Sequence, residues 1–172
     1  DGCSCTIDPD ARPLIFPSAS SGHASMNFTN LQPVTPYTFV LTCSGATDSV
    51  QRTIQTDVGT PSVPMNISAK LSENQRIKLS WSQPTKPAGP IDRYRVFVDR
   101  DPTPIELRNN QLFYEIPMKY IYGVRQELFV SACNINRANI TICSSPNAGK
   151  VEFYLPSTET TTTGSSSSSL SH

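Results

Sequence analysis

The chain has little charge and no surplus of either sign. Only 16% of its 172 residues are charged, and 14 basic residues stand against 14 acidic ones. A nucleic-acid partner is not expected, because holding a phosphate backbone requires a basic excess, and no block of five Lys or Arg occurs. An acidic disordered chain is excluded by the same balance. No apolar run approaches the 18 residues of a membrane-spanning helix, so no direct membrane insertion is expected in this fragment. Glycine is scarce at 8 residues while proline reaches 15, which favours extended strands and stiff turns over helices.

Catalytic material is scarce too. The two histidines, His23 in a Ser/Gly-rich loop and His172 at the end, neighbour no nucleophile motif of the Gly-x-Ser-x-Gly kind. No glycine-rich loop suggests phosphate binding, and no cofactor is implied. Cys3, Cys5 and His23 do not make a metal site, since a fourth ligand and the Cys-x-x-Cys loop of structural zinc are missing. An enzyme is not expected.

What the chain does contain points to the secretory pathway. Three Asn-x-Ser/Thr acceptors occur, at Asn27, Asn66 and Asn139, together with five cysteines. Asn27 and Asn66 each lie between apolar neighbours, so alternation turns both side chains outward, as glycosylation requires. The first residue is Asp1 rather than Met, and a processed or excised secreted chain is expected. Cys133 and Cys143 flank a short loop, 134–142, and are the easiest pair. Cys43 is left with Cys3 or Cys5. Those two stand at i and i+2 on one strand face, about 7 Å apart, and are poorly placed to bond each other. Five is odd, so at least one thiol looks outside the fragment or stays free.

Apolar and polar residues alternate in short runs bounded by Pro, Gly and Asn, the pattern of half-buried strands. Arg76 to Trp81 alternates cleanly, as do Tyr94 to Val98, Leu128 to Ala132 and Val151 to Leu155. From Ser157 onward roughly three-quarters of the residues are Ser or Thr, which reads as a disordered tail, either an O-glycosylated stalk or a linker.

The order of these runs resembles a known module. Pro64-x-Asn66-Ile67, Leu79-Ser80-Trp81-Ser82-Gln83-Pro84, Gly89-Pro90-Ile91-x-x-Tyr94-x-Val96 and Val130-Ser131-Ala132-x-Asn134 are together similar to a fibronectin type III domain spanning 61–156. The resemblance implies an all-β, immunoglobulin-like antiparallel sandwich with Trp81 buried among Leu79, Tyr94, Val96, Val130 and Phe153. One position departs: where the family places the tyrosine that pins the sandwich corner, this chain has Gln126, with Tyr120 and Tyr122 nearby as substitutes. Residues 1–60 resemble the second half of the same module. Leu31-Gln32-Pro33-Val34-Thr35-Pro36-Tyr37 carries the corner tyrosine at Tyr37, and 57–64 forms a Pro-rich hinge into the complete copy. Tyr37 comes too early for a domain of roughly 90 residues. The first two strands are therefore expected to be absent or replaced by something short, with the inner face open or covered by a partner.

The resemblance also implies a candidate binding surface. If Tyr94, Val96 and Val98 point inward, then Arg93, Arg95 and Phe97 point out, as do Glu127, Phe129 and Ser131, and Lys150, Glu152 and Tyr154. Arg95, Phe97, Phe129 and Tyr154 would share one face, a composition typical of interface cores. Such residues can equally pack on the first unit or brace the sheet by cross-strand pairing. Loop 134–142 corresponds to the one that carries Arg-Gly-Asp in some integrin-binding members; that tripeptide is absent, and Asn139 makes a glycan the better expectation. The function these features imply is a non-enzymatic extracellular part of a cell-surface receptor or adhesion protein, binding a protein ligand or neighbouring ectodomain, or acting as a spacer near the membrane. The linker and tail weakly resemble parts of receptor-type tyrosine phosphatase ectodomains. Alternatives are a cytokine-receptor-like ligand-binding pair, which here lacks the Trp-Ser-x-Trp-Ser run, and an accessory module of a secreted enzyme.

Overall fold

The computed structural model describes residues 4–8, 12–14, 25–99 and 101–157. Cys3, His23, His172 and nearly all of the Ser/Thr tail lie outside the described residues. The described chain is all-β with antiparallel pairing throughout, and its one helical element is a 3-10 turn at Pro146–Gly149.

The first unit is a four-stranded sheet. Its strands are β1 (Cys5–Asp8), β2 (Arg12–Leu14), β3 (Pro36–Cys43) and β4 (Val50–Gln55), in the order β2-β1-β3-β4. The second unit is a sandwich. One layer, β5-β6-β9, holds β5 (Met65–Leu71), β6 (Arg76–Ser82) and β9 (Phe113–Lys119). The other is built on β7 (Arg93–Val98), β8 (Ile105–Arg108) and β10 (Gln126–Ile135). There β11 (Thr141–Cys143) and β12 (Lys150–Phe153) pair successively along the free side of β10.

Alternation decides what goes inside. In β6 the odd positions Ile77, Leu79 and Trp81 are buried; from the opposite layer Tyr94, Val96, Leu128, Val130 and Ala132 meet them, and Ile116, Tyr120 and Phe153 close the ends. Trp81 and Tyr94 lie with ring centroids 5.5 Å apart, a tilted pair. Pro117 sits in β9, which among the described residues pairs only with β6, and the β6–β9 register slips between Arg76 and Lys78, so the missing N–H is absorbed at an edge with a bulge. A second bulge between Met65 and Ser68 carries Asn66 at φ 52°, a left-handed conformation that Asn tolerates. Gly149 ends the 3-10 turn where the chain crosses β10: a Cβ there would stand 2.2 Å from the Val130 carbonyl oxygen.

The corner that Gln126 leaves without a tyrosine is pinned by Tyr120. Its buried ring packs edge-on to Phe153, and its hydroxyl donates to the Val124 carbonyl (2.6 Å) and accepts from the Leu155 N–H (2.9 Å). Tyr122, the other substitute, is exposed. In the first unit the Tyr37 hydroxyl accepts the Gln32 N–H at 2.9 Å, the same device in its expected place.

With Tyr37 laid on Gln126, the order β2-β1-β3-β4 corresponds to β8-β7-β10 followed by β11 and β12. Cys5 opposite Cys43 then matches Tyr94 opposite Ala132, and Ile7 opposite Leu41 matches Val96 opposite Val130. The strands before Tyr37 thus take the places of β7 and β8. Among the described residues no second sheet lies over this face as β5-β6-β9 lies over β7 and β10, and Val50 and Ile54 are 60% and 56% exposed.

Two disulfides staple the strands. Cys5 bonds Cys43 across β1 and β3, which selects Cys5 over Cys3 for that bridge, and Cys133 bonds Cys143 across β10 and β11.

Candidate protein-binding face

Register places the outward side chains of β7, β10 and β12. Phe97 stands directly opposite Phe129, Arg95 opposite Ser131, and on the other side of β10 Lys150 is opposite Phe129 and Glu152 opposite Glu127. Ser131, expected to point out into solvent, is instead buried where the 3-10 turn and β11 run along β10. The two phenylalanines are half-buried and, with Pro146, Asn147, Asp99 and Asp101, line a groove of about 170 Å³.

Most charges on this face are paired within the protein, while Asp99 and Asp101 accept only backbone N–H bonds, from Glu127 and Thr103. On the β7–β8 side Glu106 accepts hydrogen bonds from Arg93 and Arg95, both at 2.8 Å, and Arg93 also pairs with Asp92. Partial burial pushes the Glu106 carboxyl up, but the bonds from Arg93 and then Arg95 outweigh it and hold it below the usual carboxylate range. Toward β12, Lys150 bridges Glu127 (2.6 Å) and Glu152 (3.0 Å), and Arg125 caps Glu152 (2.6 Å). The bond from Lys150, then that from Arg125, lowers the Glu152 carboxyl. Its bonds to Glu127 and then Glu152 raise Lys150. The depressed carboxyl stabilises the fold above its ordinary value and loses that effect as pH falls; the raised ammonium does so below its ordinary value and loses it in strong base. The ladder is therefore intact through the neutral range. These pairs are exposed, and each contributes little to stability.

The four residues singled out from the sequence separate into three settings. Phe97 and Phe129 meet across the strand pair. Arg95 is engaged by Glu106 and lies 3.5 Å from the Cys143 sulfur, so its guanidinium is already partnered. Tyr154 lies past the end of β12, four residues or about 13 Å along the strand from Lys150. It is 50% exposed, with the Arg125 guanidinium 5.8 Å from its ring centroid. The Glu127–Lys150–Glu152 ladder stands between Tyr154 and Phe129. Asp99 was not foreseen; its carboxylate accepts the Glu127 N–H at 2.8 Å and fixes the end of the groove.

The hydrogen bonds that join the two units lie elsewhere, around Asp57 and Gly59. Asn27, Asn66 and Asn139 are all exposed, Asn139 at the tip of the β10–β11 loop, where its N–H bonds the Asn136 carbonyl.

No protein-family model matches the chain, and no curated protein does. Among solved structures it is similar to the rat CD45 extracellular region, domains d3-d4, with a TM-score of 0.53 and 16% identity over 79% of this chain and 72% of that one. That likeness is one of fold: the chain is an all-β protein whose second unit is an antiparallel sandwich of the fibronectin type III type.

Proposed function

We propose that this chain is a non-enzymatic extracellular module of a cell-surface receptor or adhesion protein, and that its second unit binds a protein through the face centred on Phe97 and Phe129. The paired phenylalanines carry this reading. Arg95, Glu106, Glu127, Lys150 and Glu152 are paired inside the protein, so the face offers a partner the aromatic groove with the Asp99 and Asp101 carboxylates at its edge. An aromatic anchor seated in a partner's pocket contributes about 2 kcal/mol or more, while the same ring in solvent contributes little. The two disulfides and the three exposed Asn-x-Ser/Thr acceptors support an extracellular setting. An extracellular region of similar fold agrees with it.

The test is binding of the fluorescently labelled, tetramerised chain to a panel of intact cells. Phe97→Ala and Phe129→Ala should each weaken binding at least tenfold, with a stability loss of no more than about 1 kcal/mol, the worth of a cross-strand pair. Undiminished binding with a clearly lowered melting temperature would mean that the rings only brace the sheet.

A further inference from the structure

The segment joining the two units, 57–64, reads in sequence as a Pro-rich hinge, yet it is held along its length. At its start Thr56 belongs to the first unit: its hydroxyl accepts the Thr35 N–H (2.9 Å) and donates to the Gln32 carbonyl (2.6 Å), and the Val34 N–H reaches the Asp57 carbonyl at 3.1 Å. The Asp57 carboxylate then crosses to the second unit. Its two oxygens accept the Arg137 N–H from the β10–β11 loop, at 3.0 and 3.3 Å, and one also takes the Val58 N–H at 2.7 Å.

Further along, the segment pairs with the β6–β7 loop. The Gly59 N–H bonds the Ala88 carbonyl (2.8 Å), the Ser62 N–H the Lys86 carbonyl (2.8 Å), and the Lys86 N–H returns to the Ser62 hydroxyl (3.1 Å). The wholly buried Asn134 ties both strands of this pairing, donating to the Gly59 carbonyl (3.0 Å) and the Pro87 carbonyl (2.7 Å).

Packing leaves no slack. A Cβ on Gly59 would stand 2.9 Å from Pro33 of the first unit and 3.3 Å from Ala88 of the second, so both units close on this one residue. A Cβ on Gly89 would stand 2.6 Å from the Val58 side chain, and Gly89 has φ 146°, which an L side chain rarely adopts.

We propose that the joint is a rigid clasp, not a hinge: Asp57 closes it, Gly59 is the pinch point, and the two units keep one fixed orientation. Relative motion of neighbouring units is the ordinary expectation for a short polar linker. Here motion of one unit against the other would break the bonds of Asp57 to Val34 or to Arg137 and open the Pro33–Gly59 contact. The Arg137 amide, then the Val58 amide, hold the Asp57 carboxyl below the usual carboxylate range, and the Arg137 charge adds to this. A depressed carboxyl keeps the clasp charged at and above its ordinary value, and the clasp weakens only as pH falls below it.

Residual dipolar couplings on the whole chain decide the matter. In the unaltered protein, couplings from β3 and β4 and from β6, β7 and β10 should fit one alignment tensor. Asp57→Ala, which removes the carboxylate, and Gly59→Leu, which drives a side chain between Pro33 and Ala88, should each require two tensors, with the amide shifts of β6, β7 and β10 unchanged. Two tensors in the unaltered protein would overturn the proposal. So would a single tensor surviving in Asp57→Ala and Gly59→Leu.

Discussion

Trp81→Ala should lower the stability of the second unit by about 3–5 kcal/mol, a large part of the 5–15 kcal/mol that a domain of this size has. Trp81 is 4% exposed at the centre of the sandwich, between Leu79 on its own strand and Tyr94 across the layer. Its indole N–H has no protein partner, so packing accounts for the whole loss. It is also the chain's one tryptophan, so fluorescence of the unaltered protein reports on this unit alone. Urea unfolding of the variant, followed by circular dichroism, should show a much lower midpoint. A midpoint that hardly moves would contradict the core assignment.

Removing the Cys5–Cys43 bridge should be comparably severe for the first unit. The bridge spans a sequence separation of 38, and the chain-entropy model gives about 4 kcal/mol for closing such a loop. Cys5 is the first-unit residue that counts as buried among the described residues, so little apolar packing offsets the loss. In a Cys5→Ser, Cys43→Ser variant, hydrogen exchange at the amides of Tyr37 to Leu41 should become fast, while β6 and β10 keep their protection. The Cys133–Cys143 bridge closes a separation of only 10 between strands already paired, and its loss should cost less, about 3 kcal/mol. Unchanged exchange in the first sheet would show that its packing, not the bridge, holds it.

Much of this architecture is legible in the sequence because period-2 alternation reports which face a side chain takes. Arg76 to Trp81, Tyr94 to Val98 and Leu128 to Ala132 appear as strands for that reason, and with them the core around Trp81. Alternation does not report distance along a strand. It could not show the four-residue offset of Tyr154 from Lys150 or the ion pairs between Tyr154 and Phe129. Nor did it reveal that Arg95 is engaged, because Glu106 comes from β8, a strand of four residues too short to register from pattern.

Other features arise from backbone contacts that side-chain patterns do not encode. Tyr120 pins a corner through the amide of Leu155, 35 residues away, and Asp57 closes the joint through the amide of Arg137, 80 residues away. The last strand, expected over Val151 to Leu155, is β12, and a further short strand, β11, precedes it, set off by the turn at Pro146. That turn supplies one wall of the groove beside Phe129.

A single substitution tests the binding face most directly. Phe129→Asn turns Phe129-Val130-Ser131 into a glycosylation acceptor and, in secreted material whose mass shows the glycan attached, sets a bulky sugar over the groove. The same tetramer on the same cells should then fail to bind while circular dichroism and the Trp81 fluorescence remain those of the folded chain. Binding retained at full strength by the glycan-bearing chain would contradict the account, because a partner seated on Phe97 and Phe129 has no room for it.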